Sequence, residues 1–450
     1  MLIQLIDLLI KLNEKEAGLP LLNALSNHAT ELEQFDELSQ CYFKLKKYEQ
    51  AIILSELAYK KATAPEQEYS ILSNLINLYN HFNYPEKAME LIERLEQIKP
   101  NDIDIILEKS FSLFLLNKKS EAEAILLQQV DNEELSVESK IKIKFNLGTY
   151  ALYRDEFNKG LSLFLLEGQK LKFWRTQSPP LIQYKFWSGG SYPGKTIVLN
   201  SEAGIGDEII SVRFMKHIQE KTGMIPIWFT NRKDIANIFN NNGFKAITDK
   251  KKLPTSGYWT FPMSIPVYLN LEYNDLWDKP YLKSLNNFNL KYDWMKNTSQ
   301  LKIGLRWEGN PEYDQDLHRT IPLHDVYNKI KCENIEFYSL QRDTGLDVLE
   351  LFPEIKDMSG YMTTFEETLS IINNLDIVIT SCTSIAHASA AMGKRTFVFV
   401  PISAYYVWSH SMKQSPWYGD NVTILRQEIP RDWTKPIDEL KYYLSKEINL

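Results

Sequence analysis

The first 170 residues repeat, and this repeat constrains the fold more than any other feature of the chain. A small residue recurs at intervals of 34, 37, 34 and 38 residues, and each one is followed by an apolar run. These small residues are Ala17, Ala51, Ala88, Ala122 and Gly160. Apolar residues at helical spacing and the near absence of strand signals place two amphipathic helices in each period. The pattern predicts roughly five stacked helix pairs that pack closely at the small residues. An irregular helical bundle is the alternative.

A different pattern begins at residue 195, where short apolar runs alternate with helical segments. The predicted strands are 196–201, 225–230, 244–248, 301–307, 335–341, 376–381 and 395–400. Helices are predicted between them, including 208–221, 364–375 and 383–392. This alternation predicts parallel sheets covered by helices. Because it occurs in two successive blocks, we expect two Rossmann-like lobes that face each other across a cleft.

The predicted fold class is therefore α + α/β, with an N-terminal helical solenoid followed by two Rossmann-like lobes. We expect the repeats to span residues 1–172, followed by a Pro- and Gly-rich linker at 173–194. The first lobe is expected at 195–295, and the second lobe, with a C-terminal helix, at 296–450. A length of 450 residues fits about two or three domains.

Composition excludes several functional classes. The net charge of −7 does not favour a nucleic-acid partner. Three scattered cysteines argue against a disulfide framework or a zinc site. No run of about 18 apolar residues predicts a membrane span, and the N-terminus lacks signal-peptide features. We therefore expect a cytoplasmic protein.

A glycine-rich turn follows the first predicted strand of the first lobe. In SEAGIGDEII, Gly204, Gly206 and Asp207 lie directly after a strand and before a helix. The two glycines allow the backbone to turn tightly and approach a ligand. Asp207 is a candidate general base for an attacking hydroxyl. The alternative is that Asp207 caps the helix N-terminus.

A second strand–loop–helix segment reads ITSCTSIAHASAAMG. Thr383 and Ser384 stand at the predicted start of its helix, which carries a partial positive charge and suits a diphosphate. His387 lies about one turn further on and is a candidate for the same ligand. A packing role for this histidine is the alternative.

The segment GLRWEGNPEYDQDLHRTIPL adds two further candidates. Asn310 and Arg319 follow a predicted strand, and the planar guanidinium of Arg319 is suited to phosphate. Gln341 ends the next strand. Because ligands of open α/β sheets gather at the carboxyl ends of the strands, all these residues are expected to meet in one cleft. No set of histidines and acids has metal-ligand spacing.

Taken in order, these motifs resemble a known family. Helical repeats, the GIGDE turn, GLRWEGNP with HRTIPL, FYSLQ and DIVITSCTSIAHASAAMG are similar to those of the tetratricopeptide-repeat glycosyltransferases related to heptosyltransferases, in glycosyltransferase family 9. The resemblance covers nearly the whole chain and implies the GT-B fold. It implies inverting transfer of a hexose, heptose or N-acetylhexosamine from a nucleotide-diphosphate sugar, without a required metal or other cofactor.

The resemblance also implies residue roles. It makes Asp207 the general base, and it places Arg319, Thr383, Ser384 and His387 near the donor phosphates. Heptosyltransferases often carry an aspartate before this threonine, where the present chain has Cys382. This departure leaves the identity of the donor sugar open.

The repeats predict a partner as well. Their concave face is a common peptide-binding surface, so we expect a protein or peptide acceptor. Repeats of this kind often self-associate, which makes a homodimer a further expectation. Two alternatives remain open: a non-enzymatic scaffold with a degenerate sugar-nucleotide domain, and an epimerase or hydrolase that acts on the nucleotide-sugar alone.

Overall fold

The computed structural model describes residues 2–12, 14–167, 183–276, 279–285, 291–311, 313, 315–408 and 412–447. The chain divides into two compact units. The repeat unit comprises Met1–Asn132 with Ile429–Arg431, and the two-sheet unit comprises Glu133–Glu428 with Asp432–Leu450.

The repeat unit is built from helices that pack successively along the chain. They are α1 (Leu2–Lys11), α2 (Leu19–Ser26), α3 (Leu32–Lys44), α4 (Tyr48–Tyr59), α5 (Pro65–His81), α6 (Pro85–Ile98), α7 (Ile103–Leu115) and α8 (Lys119–Leu127). Their inward faces form one continuous apolar core, which extends at least from Ile6 to Ile105.

The turns inside three helix pairs, α3–α4, α5–α6 and α7–α8, follow one rule. A residue with left-handed backbone lies five positions before the small residue, and these residues are Lys46 (φ 59°), Asn83 (φ 60°) and Asn117 (φ 61°). Ala51 and Ala122 are fully buried, and their carbonyls accept hydrogen bonds from Ser39 Oγ at 2.8 Å and Ser110 Oγ at 2.9 Å. Ala51, Ala88 and Ala122 thus lie where the two helices of a pair meet. Ala17 does not, because it is exposed in the 3-10 turn Lys15–Gly18.

The fifth predicted helix pair belongs to the two-sheet unit. It consists of α9 (Val137–Tyr153) and α10 (Phe157–Leu161), which continues as a π-helix over Ser162–Glu167. The Phe157 ring lies 4.6 Å from that of Tyr273 and 5.8 Å from that of Trp417. Because α10 packs into the core of the lobes, the first compact unit ends at Asn132 rather than at the expected residue 172.

The first lobe contains a five-stranded parallel sheet of order β1-β5-β2-β3-β4. Its strands are β1 (Tyr184–Phe186), β2 (Thr196–Asn200), β3 (Ile225–Phe229), β4 (Ala246–Ile247) and β5 (Gly257–Thr260). Its helices are α11 (Ile205–Val212), α12 (Phe214–Thr222), α13 (Lys233–Asn241) and α14 (Ile265–Tyr268).

The second lobe contains a seven-stranded sheet of order β11-β12-β10-β9-β6-β7-β8, in which only β11 is antiparallel among the described strands. Its strands are β6 (Leu301–Arg306), β7 (Ile335–Ser339), β8 (Lys356–Asp357), β9 (Ile377–Ser381), β10 (Arg395–Val400), β11 (Gln414–Ser415) and β12 (Gly419–Arg426). Its helices are α15 (Asp316–Arg319), α16 (Leu323–Ile330), α17 (Phe365–Asn373), α18 (Ser384–Ala391) and α19 (Thr434–Glu447).

Both sheets are doubly wound about their first central strand. The order β8-β7-β6-β9-β10-β12 is the Rossmann order 3-2-1-4-5-6, and β4-β3-β2-β5 repeats its first part. The predicted α/β alternation is thus confirmed in both blocks. The central strands β2 and β9 are buried on both faces, which is why they read as apolar runs.

Two sequence predictions differ from the structure. The expected linker 173–194 contains an edge strand, because Tyr184–Phe186 pairs with β5; residues 173–182 lie outside the described residues. The helix predicted at 208–221 is divided into α11 and α12 at Arg213. The Arg213 Nε donates to the Ile210 carbonyl, the acceptor that a continuous helix would pair with residue 214.

Arg213 also joins the two lobes. Its buried guanidinium donates to the carbonyl of Leu276 at 2.9 Å, to that of Trp417 at 2.5 Å and to the Tyr281 hydroxyl at 2.7 Å.

Within the described part of the chain, no helix combines the length and apolar character needed to cross a membrane.

Candidate functional site

A cleft of about 850 Å³ opens between the two lobes, at the carboxyl ends of β2, β6 and β9. The first lobe contributes Ala203, Gly204, Ile205, Gly206, Asp207 and Arg232 to its lining. The second contributes Arg306, Gly309, Asn310, Pro311, Tyr313, Gln315, Arg319, Arg342, Asp343, Thr344, Cys382, Thr383, Ser384, His387, Pro401, Ser403 and Tyr405. Eight of the nine predicted site residues line it. The cleft lies at the topological switch point between β6 and β9, where ligands of such sheets bind.

Two helix N-termini converge in this cleft. Helix α11 begins at Ile205 and α18 at Ser384, and the two helices pack against each other. A Cβ on Gly206 would lie 3.0 Å from His387 Cδ2 and 3.5 Å from Ser384 Cα, so glycine allows this close approach. The first backbone N–H groups of a helix have no partner within the helix, and each helix start carries a partial positive charge. Together they form a site suited to an anion.

Asp207 lies on the first turn of α11 and accepts hydrogen bonds from both lobes. Its Oδ2 accepts from the backbone N–H of Gly204 at 2.9 Å, and its Oδ1 accepts from the Tyr405 hydroxyl at 2.5 Å. Burial, and then the charge of Asp207, raise the pKa of Tyr405 well above its usual value, so this hydroxyl stays a donor. Each carboxylate oxygen has a second lone pair. Asp207 therefore both braces the helix start and presents a fixed acceptor at the cleft.

Arg319 is fixed beneath the cleft by three groups. Its Nε donates to Asp316 Oδ1 at 2.7 Å and its Nη1 to the Cys382 carbonyl at 2.7 Å, while its Cζ lies 4.6 Å from the Tyr313 ring centroid. The bond to Cys382 ties the guanidinium to the loop that precedes α18. Its remaining nitrogen, Nη2, lies so close to Gly309 that a Cβ there would be 2.1 Å away.

His387 is a buried, neutral member of the site. Its Nδ1 lies 3.1 Å from the Tyr418 hydroxyl, and its ring stacks on Trp408 with centroids 5.0 Å apart. Burial, followed by the charges of Arg213 and Arg319, lowers the pKa of His387 to about 3. The predicted packing role and the predicted place in the cleft both apply to this residue, which is not a cation at neutral pH.

This lowered pKa predicts a pH dependence of stability. Between pH 6.5 and 3, His387 binds a proton in the unfolded chain but stays neutral in the folded one. The free energy of unfolding therefore falls as the pH drops through this range. At pH 5 the loss is about 2 kcal/mol. Urea denaturation of the native chain and His387→Gln at pH 7.5 and 5 measures it. The native chain should lose more stability than the variant over this interval; equal losses would contradict the assignment.

Cys382 occupies the position between the strand and Thr383. Its Sγ accepts from Trp408 Nε1 at 2.7 Å, and burial raises the pKa of the thiol to about 11. The residue is therefore a neutral thiol at physiological pH. Arg319, which is paired with Asp316, bonds the carbonyl of this residue and not its thiol.

One predicted site residue lies elsewhere. Gln341 is fully buried behind the cleft, where its Nε2 donates to the Thr344 carbonyl at 2.9 Å and its Oε1 accepts from the Glu308 N–H at 3.3 Å. It shapes the loop after β7 instead of lining the cleft. The expectation that Gln341 contacts the ligand is corrected accordingly. Asn310 does line the cleft and is exposed.

Sequence reasoning missed several cleft residues. Arg232 pairs with Glu208, which is buried and also accepts from Trp228 Nε1 at 2.9 Å and Thr230 Oγ1 at 3.2 Å. Arg306 ends β6 and Tyr405 follows β10 by five residues. The signal for Arg306 was a basic residue at the end of an apolar strand. Tyr405 had no local signal, because only tertiary packing brings it to Asp207.

The cleft is rich in arginines, three of which are paired with carboxylates: Arg232 with Glu208, Arg319 with Asp316 and Arg342 with Asp343. Its lining residues include four arginines (Arg232, Arg306, Arg319 and Arg342) and two aspartates, Asp207 and Asp343. Among the described residues, no group of three or more His, Cys, Asp or Glu side chains is arranged to hold a metal ion. The arrangement therefore supplies positive charge from guanidinium groups and helix N-termini, which together can hold a diphosphate.

Comparisons with known proteins give structural similarities only. No family model matches the chain, and no curated protein matches it in sequence. The chain is similar to a glycosyl transferase of family 9 from Veillonella parvula, at 10% identity and a TM-score of 0.40, over 58% of this chain and 98% of that one. It is also similar to ADP-heptose lipopolysaccharide heptosyltransferase II from E. coli, at 10% identity and a TM-score of 0.36, over 56% and 99%.

A third similar structure spans both units. It is a mutant O-GlcNAc transferase from Thermobaculum terrenum, at 10% identity and a TM-score of 0.32, over 93% of this chain and 92% of that one. Solved structures similar to this chain thus include the kind of glycosyltransferase that its motifs resemble. Identities and TM-scores at this level carry no argument about function, which has to come from the cleft itself.

Proposed function

We propose that this protein is an inverting, metal-independent glycosyltransferase of the GT-B fold that transfers a sugar from a nucleotide-diphosphate sugar to an acceptor hydroxyl. The observation that carries the proposal is the convergence of two helix N-termini, a fixed arginine and a fixed carboxylate in one cleft. The two helix N-termini and the arginine suit a diphosphate, and the carboxylate suits the activation of a hydroxyl.

The donor would bind mainly to the second lobe. Its diphosphate would lie at the start of α18, where Thr383 and Ser384 present hydroxyls and backbone N–H groups, with Arg319 beside it. Thr383 is the residue before the helix, and its Oγ1 lies 3.3 Å from Thr380 Oγ1. These donors stabilise the negative charge that develops on the leaving diphosphate, so the charge needs no metal ion.

The transfer would proceed in one displacement. The acceptor hydroxyl gives its proton to Asp207 while its oxygen attacks the anomeric carbon. The bond from that carbon to the diphosphate oxygen breaks, and the nucleoside diphosphate leaves with the electron pair. Attack from the face opposite the leaving group inverts the anomeric carbon. The backbone of Gly204 and the hydroxyl of Tyr405 hold the carboxylate in place for this step.

The acceptor is proposed to be a protein or peptide held by the repeat unit. Stacked helix pairs with buried small residues form extended surfaces of the kind that bind peptides. The regular left-handed turn before Ala51, Ala88 and Ala122 supports such a regular stack.

A thermal-shift screen tests the donor site. A nucleotide present at 100 times its dissociation constant adds about 2.7 kcal/mol to the free energy of unfolding. We expect a selective rise of the melting temperature with nucleoside diphosphates and nucleotide-sugars of one base, undiminished by EDTA. Absence of any shift across the UDP, GDP, ADP and CMP series would favour the scaffold alternative. A shift that EDTA abolishes would contradict metal independence.

Removal of residues 1–132 tests the acceptor assignment. Because the core of the two-sheet unit includes α10, the truncated chain keeps helices α9 and α10. We expect it to lose transfer of radiolabelled sugar to cellular protein while retaining slow hydrolysis of the donor. The donor-induced thermal shift serves as its folding control. Undiminished protein transfer by the folded truncation would show that the repeats do not hold the acceptor.

A further inference from the structure

Two arginines of the two-sheet unit, the buried Arg213 and the half-buried Arg306, differ in how their guanidinium groups are satisfied. All three nitrogens of Arg213 donate hydrogen bonds to protein oxygens. Arg306, by contrast, donates from Nη1 to the Leu340 carbonyl at 2.8 Å, and its Nε is buried with no hydrogen-bond partner among the described residues. Arg306 lines the cleft, whereas Arg213 packs between the lobes.

Leaving the buried Nε of Arg306 without an acceptor destabilises the folded protein. A buried charged donor that lacks an acceptor loses the hydration it has in the unfolded chain. Burial, and then the nearby charge of Arg319, lower the pKa of Arg306 to about 10. Two neighbouring guanidinium groups thus lie at the cleft. Arg319 is paired with Asp316, and Arg306 has no ion pair among the described residues.

The position of Arg306 places it at the proposed anion site. It is the last residue of β6 and is in register with Thr380 of β9. Thr380 in turn contacts Thr383, the residue before α18. Arg306 thus lies at the carboxyl ends of the strands, where α18 also begins.

We propose that Arg306 is a further donor-binding residue, which holds an oxyanion of the nucleotide-sugar through the Nε edge of its guanidinium. This inference rests on the proposed function. The bond from Nη1 to Leu340 fixes the plane of the group, and Nε and Nη2 form one edge of its fork. That edge matches two oxygens of a phosphate or a carboxylate. The oxyanion comes either from the diphosphate or from a carboxylate on the transferred sugar, as in a hexuronic acid.

The variant Arg306→Met tests this assignment in the full chain. Methionine keeps much of the apolar stem and removes the charge. We expect the melting temperature of the protein without nucleotide to stay unchanged or rise, because the substitution removes a buried Nε donor that has no acceptor among the described residues. The dissociation constant of the nucleotide found by the thermal screen should rise about 10- to 100-fold in calorimetric titration.

A matched control is Arg395→Met. Arg395 is also a strand arginine of the second lobe, but it is the first residue of β10 and so lies at the end of the sheet away from the cleft. It pairs with Glu447 at 2.5 Å. Its substitution should leave nucleotide affinity unchanged. A purely structural role for Arg306 predicts the reverse of our expectation for that residue, namely a lower melting temperature without ligand and an unaltered affinity in the protein that remains folded.

Two pairs of ligands identify the oxyanion. If a nucleoside diphosphate loses affinity to Arg306→Met and the corresponding monophosphate does not, the partner is the diphosphate. If only the nucleotide-hexuronate loses affinity, and the nucleotide-hexose does not, the partner is the sugar carboxylate. Equal affinities of the native chain and the variant for every ligand would overturn the inference while leaving the proposed function intact. Absence of nucleotide binding to the native chain would overturn both.

Discussion

Asp207→Ala is expected to lower kcat by about 10²- to 10⁴-fold while the affinity for the donor stays close to that of the native chain. The carboxylate is placed to accept the proton of the attacking hydroxyl, and its loss removes this base; it also removes the hydrogen bonds from the Gly204 N–H and the Tyr405 hydroxyl. The measurement is steady-state transfer, together with calorimetric titration of the donor nucleotide. Asp207→Asn should behave like the alanine variant, since the amide keeps the shape of the side chain and loses its basicity.

A control separates catalysis from helix stability. Asp234 lies on the first turn of α13 and accepts from the backbone N–H of Ile235 at 2.9 Å, but it does not line the cleft. Asp234→Ala should therefore cost about 1 kcal/mol of stability at most and leave kcat unchanged. Native-like turnover by both Asp207 variants would remove this residue from the role of general base.

Arg319→Ala is expected to weaken donor binding by about 10- to 100-fold. The guanidinium supplies charge beside the proposed diphosphate and also orders the Cys382 carbonyl ahead of α18. Arg319→Lys should recover only part of the loss, because an ammonium group cannot bond Asp316 and Cys382 and reach the ligand with the same geometry. Calorimetric titration of the nucleotide measures these affinities.

A substitution at Gly309 tests Arg319 without changing that residue, and Gly360 provides its control. An added Cβ at Gly309 would meet Arg319 Nη2 at 2.1 Å, so Gly309→Ala should displace the guanidinium and weaken the donor as Arg319→Ala does. At Gly360 an added Cβ meets nothing within 4 Å, and Gly360→Ala is the neutral control. Full donor affinity in both Arg319→Ala and Gly309→Ala would exclude this arginine from the phosphate site.

The elements that sequence reasoning located are those whose burial is locally encoded. β2, β6, β9 and β10 are buried parallel strands and appear as short apolar runs. Five of the described strands were missed. Three of them, β1, β8 and β11, are short and lie at sheet edges, with only part or none of their length buried. The other two, β5 and β12, lie inside their sheets but begin with half-buried or exposed residues, so they do not appear as continuous apolar runs. The fifth predicted helix pair is present but belongs to the two-sheet unit, because helix periodicity does not reveal which core a helix joins.

The candidate site divides along the same line. The sequence by itself determined that Asp207, Thr383 and Ser384 follow strands and open helices, because strand–turn–helix patterns are local. Gln341 also follows a strand, yet its side chain is directed into the loop behind the cleft. That direction depends on which backbone groups need a partner, and a sequence does not state it.

Only the tertiary structure decided how these local elements meet. It set Gly206 against His387, brought Tyr405 to Asp207 across the cleft, and left the Nε of Arg306 buried without a partner among the described residues. The physical reason is that strand and helix signals come from interactions within a few residues. The contacts of the cleft join residues up to 198 positions apart, and they arise only when the two lobes pack together.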